Sequence, residues 1–230
     1  MTSDTIIILA AHNEADRIAA GLAALERAFE GARVFVADDG STDGTATIAR
    51  DAGATVVSSE TVIGKGGAMT RAAHRLLEHL DAEPDGADPV VVLCDGDLGD
   101  SAARLSPLAH AVAGREADLA VAAFARRVGG GFGLALGYAR RAINRRCGLQ
   151  TGAPISGQRA MRASTLRALL PFAHGFGMEV GMTIDAVRAG LRVVEVEIDL
   201  AHRPTGKTLG GFLHRGRQLL DIMRASWARR

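Results

Sequence analysis

A chain of 230 residues, 47% hydrophobic and 23% charged, holds enough material for one well-packed α/β domain and too little for two large ones. A formal net charge of +1 and only 4% aromatic residues exclude a nucleic-acid-coating protein and a base-stacking platform. Two cysteines, Cys94 and Cys147, exclude a disulfide framework and fit a reducing cytoplasm.

The N-terminal residues carry neither a basic n-region nor a long apolar h-region, so no signal peptide is expected. No window reaches the roughly 20 apolar residues of a membrane span. The apolar run 5-TIIILAA-11 predicts a strand, with Asn13 as the N-cap of a helix over 14–29. A second strand is predicted at 33-RVFVAD-38, a turn at 39-DGSTDG-44 and a helix over 45–52. A third strand, 54-ATVVS-58, precedes Gly64, Gly66 and Gly67, which open a helix to Leu80. The fourth strand is 90-VVVLC-94, where Cys94 reads as a small buried hydrophobe. Unbroken apolar strands alternating with helices indicate a mostly parallel sheet covered on both faces.

The second half is less regular. A strand is predicted at 118-DLAVAAF-124, then the glycine-rich loop 126-RRVGGGFG-133 and helices over 138–147 and 179–189. The Val/Glu alternation of 191-LRVVEVEID-199 predicts an antiparallel or edge strand. A last helix over 209–227 sets Phe212, Leu213, Leu219, Leu220, Met223 and Trp227 on a helical period, a stripe expected to pack on the domain. Contact with an anionic membrane surface is the competing use of that basic helix. No repeat or linker divides the chain, so 1–230 is one domain with halves 1–125 and 126–230.

Ligands of parallel α/β sheets bind at the carboxyl ends of strands. Four polar motifs fall at predicted strand ends: 12-HNE-14, 38-DDGSTD-43, 64-GKGG-67 and 95-DGD-97. Asp95 and Asp97 suit a hard divalent cation that keeps open positions for phosphate oxygens. The competing role is capping of the next helix, which is given to Asp100. Arg126 and Arg127 suit a phosphate clamp, because a guanidinium matches phosphate oxygens bidentately; a solvated basic turn is the alternative. The stretch 204-PTGKT-208 imitates a P-loop, but the place of its first glycine holds Ala201.

The stretches 7-IILAAHNEADRI-18, 36-VADDGSTDGT-45, 64-GKGGAM-69 and 94-CDGDL-98 resemble the family-2 glycosyltransferases in order, spacing and strand-end placement. That resemblance implies a single α/β, Rossmann-like GT-A domain. Its central sheet would be mostly parallel, with helices on both faces and an antiparallel edge. It also implies a nucleotide-diphospho-sugar donor. Asp38 would contact the base, and Ala11, Asn13, Glu14 and Gly96 would shape the nucleotide-sugar pocket. Lys65 would lie near the nucleotide. Asp95 and Asp97 would form a DxD motif that places Mg2+ or Mn2+ on the diphosphate, Asp97 serving catalysis.

The stretches 154-PISGQRAM-161, 171-PFAHGFGMEVGMTID-185 and 201-AHRPTGKTL-209 look like glucosyl-3-phosphoglycerate synthases. This likeness implies that His202 completes the metal site and that Glu179 is a catalytic group beside the donor sugar or acceptor. The same half is similar to polyprenyl-phosphate sugar transferases, which implies acceptor contacts at Arg126, Arg127, Arg203 and Lys207. Both relatives imply a phosphate-bearing acceptor, either a soluble phosphoglycerate-like molecule or a polyprenyl phosphate. The soluble one is preferred; the lipid would bring a peripheral contact with the inner membrane face. A homodimer is compatible with either. Two rival functions remain. Nucleotidyl transfer expects a glycine-rich loop where 11-AHNEADR-17 stands, and a non-catalytic nucleotide-sugar sensor has no need of Asp95, Asp97, Lys65 and His202 together.

Overall fold

The unbroken apolar runs become the middle of a sheet in a computed structural model, which describes residues 5–83, 86–124, 133–199 and 209–229. The strands are β1 (Thr5–Ala11), β2 (Arg33–Asp38), β3 (Thr55–Ser58), β4 (Val90–Asp95), β5 (Leu119–Phe124), β6 (Arg159–Arg162) and β7 (Val193–Ile198). They line up in the order β3-β2-β1-β4-β6-β5-β7. Every ladder is parallel except the two made by β6, which runs antiparallel to both β4 and β5.

Helices cover both faces: α1 (Ile18–Ala28), α2 (Thr45–Asp51), α3 (Lys65–Asp81), α4 (Ser106–Ala113), α5 (Gly133–Cys147), α6 (Ala163–Leu169), α7 (Met178–Arg188) and α8 (Leu209–Ala228). Short 3-10 segments run over Gly96–Leu105 and Gly175–Gly177. Alternate residues of a strand face opposite sides, so β1 and β4 feed two separate cores. Ile7, Leu9, Val92 and Cys94 pack with Leu22 and Leu25 of α1 and Leu108 of α4. Ile6, Ile8, Val91 and Leu93 pack with Met69 and Leu76 of α3, Leu166 of α6 and Met182 of α7. Burial pushes the pKa of the Cys94 thiol up, as fits a small core residue.

Four expectations change. Asn13 is not an N-cap: α1 begins at Ile18 with Arg17 at its cap, and Asn13 takes φ +56°. A short amide side chain tolerates that left-handed backbone by bonding locally. Asp100 does not cap α4; it lies inside the 96–105 segment and pairs with Arg27 at 3.1 Å, while Leu105 precedes α4. β7 is the edge strand, as its alternation predicts, but it runs parallel to β5, and the one reversed strand is β6, two places in. On α8, Ile222 and Ala225 are buried, whereas Leu220 and Trp227 stay 52% and 51% exposed. Leu219 and Met223 of the expected stripe are half-buried, and α8 seats between α5 and α7 along Ile222; the side chains of Phe212 and Leu213 lie outside the described residues.

Candidate active site

The sheet register brings the strand-end motifs to one edge. Ala11 stands opposite Asp38, and Ala10 opposite Asp95. The loops after β1 and β2 then bind each other through short polar side chains. The Asn13 amide N–H donates to Ser41 Oγ at 2.9 Å, and Thr42 N–H donates to Asn13 Oδ1 at 2.9 Å. Glu14 N–H donates to Thr45 Oγ1 at 2.8 Å, and Ala15 N–H donates to Asp43 Oδ2 at 3.1 Å. Ala11 is buried, and its carbonyl accepts Asp39 N–H at 2.9 Å. Asp38 is only 2% exposed and accepts Ser41 N–H at 3.1 Å. Its neighbour Asp39 accepts Ile63 N–H at 2.7 Å and Gly64 N–H at 3.0 Å. That carboxylate fixes the start of α3.

Lys65 is the first residue of α3, and its position depends on glycines. A Cβ on Gly66 would lie 1.9 Å from the Ala173 carbonyl oxygen, so only glycine lets α3 start against the 173–175 segment. From there Lys65 Nζ reaches Asp95 Oδ1 at 2.6 Å and Glu179 Oε1 at 2.7 Å. These side chains are 19%, 27% and 6% exposed respectively. Gln158 Nε2 donates to Asp95 Oδ2 at 2.8 Å. Between them Gly157 leaves no room for a side chain: a Cβ there would sit 2.5 Å from Asp95 Oδ2. Gly96 is buried, and a Cβ there would lie 3.0 Å from the Ala10 carbonyl oxygen.

Burial opposes the Lys65 ammonium, but the charges of Asp95 and then Glu179 outweigh it and hold its pKa above the ordinary lysine value. Glu14 has its pKa raised, first by burial and then by the charges of Asp97, Asp43 and Asp95, against the lowering effect of Arg17. The edge therefore has two electrical characters. An ammonium is locked between Asp95 and Glu179, while burial first, and then the charges of Asp97, Asp43 and Asp95, disfavour the ionised form of Glu14. Asp97 itself is exposed. Hard carboxylate oxygens in a negative field are the chemistry that Mg2+ or Mn2+ takes, so Asp95 and Asp97 fit such an ion. Among the described residues no group of three or more His, Cys, Asp or Glu is placed to hold a metal. His202, expected as the third ligand, lies outside the described residues, as do Arg126, Arg127, Arg203 and Lys207.

The structure thus brings Ala11, Asn13, Glu14, Asp38, Lys65, Asp95, Gly96, Asp97 and Glu179 to one edge of the sheet and its loops. It adds Asp39, Gly157 and Gln158. All three lie inside stretches singled out in the sequence, 38-DDGSTD-43 and 154-PISGQRAM-161, but nothing in the chain pairs Gln158 with Asp95 or Asp39 with the start of α3.

The chain is similar to several known proteins. The chain matches the family model for glycosyl transferase family 2 over residues 6–170. It is 33% identical over 221 residues to glycosyltransferase AglJ of Haloferax volcanii, an alignment of 89% of this chain that spans only 66% of that protein's length. It is 32% identical to an undecaprenyl-phosphate mannosyltransferase of Micrococcus luteus, over 98% of this chain and 95% of that protein. Among solved structures it resembles glucosyl-3-phosphoglycerate synthase of Mycobacterium tuberculosis, crystallised with Mn2+, uridine-diphosphate-glucose and phosphoglyceric acid. That similarity has a TM-score of 0.73 and 25% identity, covering 99% of this chain and 79% of the other.

Proposed function

The chain belongs to glycosyl transferase family 2, and from that premise we propose that it moves a sugar from a nucleotide-diphospho-sugar to a phosphate-bearing acceptor, with Mg2+ or Mn2+ bound. The observation that carries this reading is the Lys65 ammonium held between Asp95 and Glu179 at the carboxyl edge of the sheet. In this reading Ala11, Asn13, Glu14, Asp38 and Gly96 line the nucleotide-sugar pocket. Asp95, Asp97 and His202 would hold the cation, which would neutralise charge on the diphosphate leaving group. Lys65 adds a fixed positive charge beside the same group, and being bonded beforehand it needs no reorganisation when charge develops. Glu179 fixes that ammonium from the sugar side. Arg126, Arg127, Arg203 and Lys207 receive the acceptor's phosphate.

A soluble phosphoglycerate-like acceptor and the cytoplasm are the first reading, supported by the ligands of the mycobacterial enzyme. A polyprenyl phosphate at the inner membrane face is the second, supported by the near full-length similarity to the Micrococcus protein. No described helix is long and apolar enough to cross a membrane. If the ionised phosphate oxygen is itself the nucleophile, no general base is required. The test offers UDP-glucose and GDP-mannose, with Mn2+ or Mg2+, to 3-phosphoglycerate, to a short polyprenyl phosphate and to their dephosphorylated forms. Transfer to a phosphorylated acceptor alone, abolished by chelator and by Asp97→Asn, is expected. Equal transfer to a neutral alcohol, or full activity in chelator, overturns the reading.

A further inference from the structure

One charged side chain beside the site has no part in the reading above. Arg159 opens β6 and is 0% exposed, the bulkiest of the fully buried side chains. It makes no ion pair with a described residue. Its Nε donates to the Ser156 carbonyl at 2.9 Å, its Nη1 donates to Thr183 Oγ1 at 3.0 Å, and its Nη2 has no partner among the described residues. Burial pushes its pKa down to about 10, with Glu179 and then Glu195 opposing, so it stays charged at neutral pH.

Such a group is a poor device for stability. A buried cation without a bonded carboxylate, carrying an unsatisfied N–H, costs free energy that an apolar side chain of like length would not. What it does provide is connection. Thr183 Oγ1, which accepts from Arg159, itself donates to the Glu179 carbonyl at 2.9 Å. Glu179 holds Lys65, Lys65 holds Asp95, and Asp95 accepts from Gln158, whose chain neighbour is Arg159. The bonds therefore close a ring through β4, α3, α7 and the start of β6. β6 can close it only because it runs antiparallel, which puts its first residue at the carboxyl end of β4: Arg159 stands opposite Leu93.

We propose that Arg159 is a positioning residue: it ties the 156–158 turn to α7 and so fixes Gln158 and Glu179, the two groups that hold the Asp95–Lys65 pair. This rests on that pair being the donor-site cluster, but the clamp itself can be tested without any ligand. The chain has only two lysines, Lys65 and Lys207, so one reports and the other serves as reference. Ligand-free protein is labelled with limiting acetic anhydride, and the Lys65 to Lys207 ratio is read by mass spectrometry. Arg159→Met and Thr183→Val should each raise that ratio about tenfold at an unchanged melting temperature, and the double variant should add nothing, because both break one bridge. Thr183→Val removes one hydroxyl and keeps the test available if Arg159→Met folds poorly. A ratio that is unchanged or lower in Thr183→Val, additive effects in the double variant, or a rise that merely follows global unfolding would overturn the proposal. Calorimetry with UDP and Mn2+ separates the two claims. If the ratio rises but the wild-type chain binds no UDP, the clamp stands and the uridine-donor reading falls.

Discussion

Replacing Lys65 by methionine keeps the aliphatic stem and removes the ammonium that Asp95 and Glu179 share. Glu179 is then a carboxylate only 6% exposed with no bonded cation, while Asp95, 27% exposed, keeps its bond from Gln158. Breaking a buried pair by deleting one partner costs about 3–5 kcal/mol, and the partial exposure of Asp95 places this case at the lower end, about 3 kcal/mol. A chain of 230 residues has an unfolding entropy of roughly 0.5 kcal/mol/K, so the midpoint should fall by about 6 °C. The pH dependence fixes the cause. Lys65 has its folded pKa raised above the ordinary 10.5, so its contribution is fully present below that value and is lost only as pH rises past it. Below 10.5 the gap to wild type should therefore not depend on the charge state of Lys65. Urea unfolding followed by circular dichroism at about pH 7.5 and about pH 9 measures the loss and its constancy. A loss under about 1 kcal/mol at about pH 7.5, or a gap that has already closed by about pH 9, would falsify the reasoning.

Gly66→Ala should abolish cooperative folding or lower stability by several kcal/mol, because its Cβ would lie 1.9 Å from the Ala173 carbonyl oxygen; thermal melts decide this. Gly137→Ala, in the exposed interior of α5 with nothing within 4 Å of the new Cβ, should instead stabilise by about 0.5–1 kcal/mol. A destabilised variant there would contradict the helix. Glu195→Gln should cost about 1–2 kcal/mol, since the Glu195 carboxylate accepts Thr151 Oγ1 and the Gly152 and Ala153 amides. Hydrogen exchange of those two amides should quicken, and unchanged protection would show that the loop is held by something else.

Much of the architecture could be read from the chain because its signals are local. An unbroken apolar run such as 90-VVVLC-94 requires cover on both faces, and a polar motif directly after it must then lie at a strand's carboxyl end. By that logic Asn13, Asp38, Lys65, Asp95 and Asp97 were assigned to one edge, where the register of β1 with β2 and β4 collects them. Local signals also misled where tertiary contacts took over. Asn13 looks like a helix cap but its side-chain amide oxygen accepts Thr42 N–H, and Leu220 and Trp227 look like packed residues but stay about half exposed. The partners of the site were decided by the tertiary structure alone. Lys65 meets Glu179 across 114 residues, and Asp95 meets Gln158 across 63. Neither spacing carries a period, because the contacts exist only once α7 docks and once β6 enters the sheet reversed. A four-residue strand between two parallel neighbours has too little sequence to announce its direction. That direction nevertheless sets Gln158 and Arg159 beside the carboxylates, and it follows from the packing of the whole sheet rather than from the residues of β6.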